Sequence, residues 1–393
     1  MTVSGQNLWT VRWLQSIEEV SEGQWDRLAQ PLETPLLEWQ WLQALEASGS
    51  IAPQYGWHPS HLTIWEGESL IAAAPLYIKN HSDGEFIFDH WWAQLAGQYG
   101  VPYYPKLVGM SPATPAVGYR LLVAEGLEPR KVIPIMVTAI DQLCKTLKLA
   151  SCHLNFIDVP WFAAHCANTF MPWQHQSFLW RNAGYGSFDD YLQIFKSTQR
   201  RNIRRERRQI EDQGICIRTM TAAEIPSTLA PVMYRYYLRT NEQYGPWAAR
   251  YLNADFFERI FRTYRHRLLV VAAYRPSDGK IPLALAMLLV KGGHLIGRYW
   301  GSAETVKDLH FNMCFYAPIQ WAIENKINTF DPGAGSPHKI YRGFEAVANT
   351  SLHRFYDPRL KVLFEHLIDE VNRMEQTSIA SLNRRLPYAR KQP

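Results

Sequence analysis

No apolar run in this sequence is long enough to cross a bilayer. The most apolar stretch, residues 281–290, covers half of the roughly 20 residues that a spanning helix needs. The opening residues, MTVSGQNLWTVRW, lack the basic start and apolar block of a secretory leader. A cytoplasmic location without a transmembrane segment is therefore expected. Cysteine is scarce and odd in number: Cys144, Cys152, Cys166, Cys216 and Cys314, with no C-x-x-C pair. That argues against a disulfide framework and a zinc ribbon, and buried reduced thiols are expected. His58 and His61 have no partner at metal-ligand spacing, so no metal is expected. Only residues 390–393 read as a disordered tail.

What is present is ample material for packed cores. The chain of 393 residues is 47% hydrophobic and 13% aromatic, which is too long for one ordinary core. Two domains are expected, at 1–185 and 186–393. In the first, Ser16-Ile-Glu-Glu19 is a capping box that opens a short helix ending before Pro31. A second helix follows Pro35, with Leu37, Trp41 and Leu45 on one face. Residues 61–65 and 70–79 read as strands around a Glu66-Gly67-Glu68 turn, and 86–88 as a third. Residues 91–122, rich in Gly, Pro and aromatics, read as a structured loop. Helix 133–147 and strand 151–157 complete the half.

The second half repeats this order of elements without repeating letters. Ser187 caps a long helix through about residue 211, whose positive end suits Asp189 and Asp190. A strand at 215–219 and a helix at 225–242 follow. Residues 268–274 and 281–290 form a hairpin across Pro276-Ser-Asp-Gly279, then 294–300 is a strand, 308–325 a helix and 327–330 a strand. A mixed-sheet α/β (α+β) architecture with helix-covered sheets is expected.

Net charge is only +5, but it is unevenly spread. Lys196, Arg200, Arg201, Arg204, Arg205, Arg207 and Arg208 lie within thirteen positions, against the single acid Glu206. Leu192, Phe195, Ile203 and Ile210 would bury one face of this helix and leave most arginines outside. A solvated face is the ordinary fate of such a run. An anionic partner would relieve its self-repulsion: a polyphosphate, a tRNA backbone or an anionic membrane surface touched peripherally.

Three stretches carry a resemblance. The first is FDHWWAQLAGQYGVPYYPKL at 88–107, with Thr114-Pro115 and GYRLL at 118–122 after it. The second is 187–208, containing RRNIRR at 200–205. The third runs from RYWG at 298–301 through His310-Phe311 to DPGAGSPHKIYRGF at 331–344. Together they resemble the FemAB-like family of N-acyltransferases within the GNAT superfamily, over nearly the whole chain. The resemblance implies two tandem GNAT-like domains. It also implies transfer of an activated acyl or aminoacyl group to an amine acceptor, in cell-envelope or peptidoglycan metabolism. Fem-type relatives take amino acids from aminoacyl-tRNA, and other GNAT members use acyl-CoA. A CoA-binding GNAT enzyme shows Q/R-x-x-G-x-G/A at a helix start. Residues 94–100, QLAGQYG, are one residue too long for it, so the donor stays open between acyl-CoA and aminoacyl-tRNA. The alternative is a catalytically silent acyltransferase fold that binds an anionic partner, a cell-envelope precursor or RNA.

Acyl transfer needs a neutral nucleophile, a place for the oxyanion and a proton donor for the leaving group. The expected catalytic residues are His310, Asp331 and Lys339. His310, near a helix start, would be a neutral base. Asp331, at a strand end, would orient a base or bind the amine. In the glycine-rich 331–344 segment, Lys339 or Arg342 would hold a phosphate or the oxyanion, with His338 beside them. Arg201, Arg204, Arg298 and Trp300 complete the expected donor surface in the second half. Asp89, His90, Tyr103, Tyr104 and Lys106 would line a binding groove in the first. The 298–300 strand end, His310, the 331–342 loop and the 200–205 helix are expected to converge on one concave surface.

Overall fold

The computed structural model describes residues 9–166, 169–245, 248–275, 280–335 and 337–389. The expected turn at 276–279 and the tail at 390–393 lie outside the described residues. The chain divides into two compact units, one of Met1–His175 with Asn349–Met374, the other of Gln176–Ala348 with Glu375–Pro393. This differs from a single cut at 185/186, because the chain re-enters the first unit after the second. Residues 352–355 pair antiparallel with Ser151–Leu154, and the Phe364 ring packs tilted against that of Trp92, centroids 4.6 Å apart. The first two of the three crossings fall inside strands, Met171–Arg181 and Glu345–Phe355, and the third inside the helix Pro358–Arg384.

The first unit carries two sheets. Trp9–Leu14, His61–Glu66, Ser69–Ala74 and Leu122–Val123 form an antiparallel four-stranded sheet in that order. Trp57–Pro59, Leu76–Lys79, Lys106–Gly109, Ser151–Leu154 and residues 352–355 form the second, where Lys106–Gly109 and Ser151–Leu154 run parallel. The expected single strand at 70–79 is broken at Pro75, which cannot donate to a ladder. Its two halves serve different sheets. No strand forms at 86–88, where Phe86 and Phe88 have φ of 58° and 56°. The expected loop at 91–122 contains a helix, His90–Gln98, and the strand Lys106–Gly109. Ser16 does make its capping box with Glu19 around a short 3-10 turn, and Ser21 caps Glu22–Ala29.

In the second unit, Cys216–Thr221, Leu268–Tyr274, Ala284–Lys291 and His294–Ser302 form an antiparallel meander. Leu268–Tyr274 and Ala284–Lys291 are buried almost throughout, as central strands covered on both faces must be. Thr329–Asp331 adds to His294–Ser302 in parallel, and Trp180 and Arg181 pair with it antiparallel. The expected long helix from Ser187 is two helices, Phe188–Gln193 and Ser197–Asp212, parted by Lys196 in an extended conformation. Helix Ala254–Thr263 and the long helix Pro358–Arg384 carry no mark in the sequence reading. No helix among the described residues is long and apolar enough to cross a membrane. Cys144, Cys152 and Cys166 are buried free thiols, as expected, while Cys216 is exposed at a strand start.

Candidate active site

The site in the second unit grows from a parting of strands. His294–Ser302 pairs with Thr329–Asp331 only through His294–Ile296. Beyond that point Gly297 and Gly333 come together: a Cβ on Gly333, at φ +76°, would lie 2.9 Å from the Gly297 carbonyl. Only glycines permit this approach. The loop after Asp331 therefore folds back, held by the Gly333 amide donating to Asp331 Oδ1 at 2.8 Å.

That loop wraps an ammonium group. Lys339 is 3% exposed, and its Nζ donates to the carbonyls of Gly333 (2.6 Å) and Ala334 (3.0 Å). Two of its three N–H groups are thus engaged. Burial pulls its pKa down to about 8, against the pull of Asp331. Asp331 is raised by burial, partly offset by the Gly333 amide and by the charges of Lys339 and Arg298.

His310 lies in the short turn Leu309–Phe311, entered through Asp308 in a left-handed conformation. Its ring sits 4.6 Å from that of Trp300 and 6.1 Å from that of His338. Its pKa falls to about 4, first through burial and then through His338, Arg342 and Lys339. The direction matches the sequence expectation, but the cause is enclosure rather than the helix end. His338 falls to about 4 for the same leading reason.

Arg342 closes the loop. It is 5% exposed, its Cζ lies 3.5 Å over the Phe311 ring, and Nη1 donates to the His338 carbonyl at 3.2 Å. Its Nη2 meets both oxygens of Glu206, at 3.2 and 3.3 Å. Tyr316 donates to Glu206, and Asn312 Nδ2 donates to the Glu206 carbonyl at 3.0 Å. Asn312 and Tyr316 bound a π-helical turn, a widening often found at functional sites. Arg298 Nη2 donates to the Tyr299 hydroxyl at 2.7 Å.

Trp300, His310, Asp331, His338, Lys339 and Arg342 thus gather as expected. Arg201 and Arg204 do not. The Ser197–Asp212 helix turns Glu206 toward the loop, with Ile203 and Ile210 buried on either side. At about 100° per residue, Arg201 and Arg204 point away from Glu206. They are exposed, Arg204 pairs with Asp189 at 3.1 Å, and both line a surface groove with Arg205 and Arg208. Their expected place beside Asp331 and Lys339 is corrected accordingly. Glu206, Tyr316 and Asn312 are absent from the sequence reading. One signal was available: Glu206 stands on the apolar stripe of its helix, between Ile203 and Ile210.

The first-unit candidates meet a different fate. Asp89, Tyr103 and Lys106 are enclosed side chains, not the wall of an open groove. Lys106 Nζ lies 2.6 Å from Asp89 Oδ2, 2.9 Å from Glu85 Oε2 and 2.8 Å from Ser82 Oγ. Tyr103 donates to Asp89 Oδ2 at 2.8 Å, and Tyr104 and Ser82 share a 2.8 Å hydrogen bond. Burial pushes Asp89 up, but Lys106 and the hydrogen bonds to it prevail and hold the carboxyl at about 2. His90 is exposed at the start of the His90–Gln98 helix, apart from this cluster's ion pairs.

FemX has a similar structure, with a TM-score of 0.51 and 11% identity over 88% of this chain and 98% of that one. L-PGS from Bacillus licheniformis is similar at 0.48 and 10% identity, over 89% and 96%. A tandem GNAT protein from the clavulanic acid biosynthesis pathway is similar at 0.43 and 12%, over 89% and 99%. No curated protein matches the sequence. The FemAB-like family profile, described as peptidoglycan biosynthesis/recognition, matches residues 16–390. That profile spans nearly the whole of this mixed α/β, two-unit chain, which therefore belongs to the FemAB-like family.

Proposed function

We propose that the second unit transfers an activated acyl or aminoacyl group to an amine on a cell-envelope precursor. The observation that carries this reading is the enclosed Lys339 ammonium, cradled by the Gly333 and Ala334 carbonyls beside His310 and Asp331. In the transfer, the amine lone pair attacks the acyl carbonyl and a tetrahedral oxyanion forms. The bond to the leaving thiol or hydroxyl then breaks as the amide forms. Lys339, cationic in its majority at pH 7, supplies positive charge to the oxyanion or to a donor phosphate. His310 is neutral at that pH and takes the proton lost by the amine, which passes to the leaving group. Asp331 holds the incoming amine as its cation until a first proton passes to solvent and frees the lone pair; the second, lost on attack, is the one His310 takes.

The donor is acyl-CoA or aminoacyl-tRNA. A screen of both donor classes against amine acceptors tests the reaction. Turnover with one class supports it, and no transfer from either with folded protein rejects it. Retained turnover in Lys339→Ala would reject the site and leave the reaction standing.

A second reading has its own support, because Arg342 is engaged by Glu206 and Lys339 by loop carbonyls. On that reading the fold binds an anionic envelope precursor or RNA without turnover. Salt-dependent binding without product formation would favour it.

A further inference from the structure

The sheet of the second unit ends on an unshielded strand. Cys216–Thr221 pairs with Leu268–Tyr274 on one side and, among the described residues, with no strand on the other. Cys216, Arg218 and Thr219 are exposed. Sheet edges are usually guarded by shortness, a proline, a bulge or an outward charge. This edge has six residues, no proline and an unbroken register from Cys216 opposite Tyr274 to Thr221 opposite Leu269. Its single charge, Arg218, leans back over the sheet, with Cζ 5.6 Å from the ring centre of Tyr274 on the neighbouring strand.

One hydrogen bond gives the direction of the backbone groups. The Thr221 amide donates to Glu224 Oε2 at 2.9 Å rather than to the neighbouring strand. In an antiparallel strand the N–H and C=O of one residue point to the same side, and that side alternates along the chain. Ile217, Thr219 and Thr221 therefore turn these groups outward, while Cys216, Arg218 and Met220 turn theirs toward Leu268–Tyr274. The side chains of Ile217 and Thr219 line a groove of about 280 Å³ together with Ile210, Ile215, Ala317 and Trp321. The outer edge thus presents backbone donors and acceptors at 217 and 219 beside apolar surface.

We propose that this edge pairs with the same edge of a second copy of the chain, antiparallel across a two-fold axis. Outward-facing residues pair with outward-facing residues, so the axis passes at 218 or at 219. An axis at Arg218 would set two guanidinium groups directly opposite each other, which is destabilising. An axis at Thr219 sets Thr219 opposite its own copy, Ile217 opposite the partner's Thr221 and Arg218 opposite the partner's Met220. No like charges then face each other, and the Thr–Thr pair is a favourable one. The two Thr219 residues exchange both of their backbone hydrogen bonds, and each Ile217 amide reaches the carbonyl of the partner's Thr221. The Thr221 amide stays with Glu224. Both grooves then lie on one face of a continuous sheet, as expected of a closed two-fold interface. This inference does not rest on the proposed transfer reaction.

The test is sedimentation equilibrium of the full chain over a range of concentrations. A dimer is expected. Thr219→Lys, which sets two ammonium groups opposite each other, is expected to raise its Kd about 10-fold or more. Thr219→Cys, made together with Cys216→Ser, is expected to give a disulfide-linked dimer on mild oxidation. Directly opposite hydrogen-bonded residues have Cα atoms about 5.5 Å apart, within disulfide reach. Wild-type Cys216, about 20 Å from its own copy in this register, is expected not to link. A wild type that stays monomeric overturns the pairing and leaves the edge to some other polypeptide. A dimer indifferent to Thr219→Lys, or one whose Thr219→Cys form does not link, overturns it as well. If Thr219→Lys does not fold, amide hydrogen exchange of the wild type decides: protection at 217 and 219 that grows with concentration supports the pairing, and its absence rejects it.

Discussion

Glu206 and Arg342 meet at 3.2 Å with side chains only 13% and 6% exposed, joining the sole acid of a basic helix segment to the end of the lysine-wrapping loop. Truncating one partner of such a pair leaves the other charge buried and alone, which typically costs about 3–5 kcal/mol. Glu206→Ala is therefore expected to destabilise the second unit by about 3 kcal/mol in denaturant unfolding. Arg204→Ala, whose pair with Asp189 is half exposed, is expected to change it by about 0.5 kcal/mol or less. Equal effects would contradict the different settings of the two pairs.

Lys339→Ala is expected to lower the transfer rate about 10²–10³-fold, the usual cost of losing one oxyanion donor. The wild-type rate should fall as pH rises through about 8, where Lys339 loses its proton. A rate that stays flat to pH 10 would remove the ammonium from the chemistry.

His310 gives a stability signature with a defined sign. Its folded pKa is about 4, below the ordinary 6.5 of an unfolded histidine. Between those values the unfolded chain binds the extra proton, so stability rises with pH across the window. The contribution is complete above about pH 6.5 and is lost as pH falls toward 4, up to about 3 kcal/mol. His310→Asn should flatten that part of a stability-versus-pH curve. An unchanged slope would mean that the ring titrates as if in water.

Gly301→Ala is expected to destabilise the second unit by about 1–3 kcal/mol or more. The added Cβ would fall onto the Tyr236 carbonyl, and backbone cannot swing aside as a side chain can. Circular dichroism melting would report it, and an unchanged melting temperature would show that the helix Leu229–Glu242, which carries Tyr236, and the strand His294–Ser302 can part.

Much of the fold was legible because local signals and tertiary context agreed. Residues 268–274 and 294–300 read as strands from their buried apolar content, and Ser16 and Ser187 read as caps. What failed depends on distant contacts. Nothing near Pro75 says that the two flanking strands part company. Nor does any local signal announce that Phe86 and Phe88 take positive φ beside the enclosed Glu85. The 331–342 loop was legible from its glycines and bases. Glu206 was hidden because a single acid among seven bases reads as a neutraliser of its own helix, whereas its partner lies 136 residues away. Asp89, Tyr103 and Lys106 are expected in a groove wall because sequence alone does not distinguish an enclosed ion pair from one.

The re-entry of residues 349–374 into the first unit sets an order on biosynthesis. A ribosome releases the segment up to residue 175 early, yet the strand that completes its second sheet arrives only after residues 176–348 have been made. At about 5–20 residues per second this interval is roughly 10–35 s. During it, Ser151–Leu154 lacks its 352–355 neighbour and presents an open edge to the nascent chain and to other polypeptides. The emerging protein must therefore keep one half-built sheet unattached while it assembles another, a task suited to a chaperone that shields extended edges.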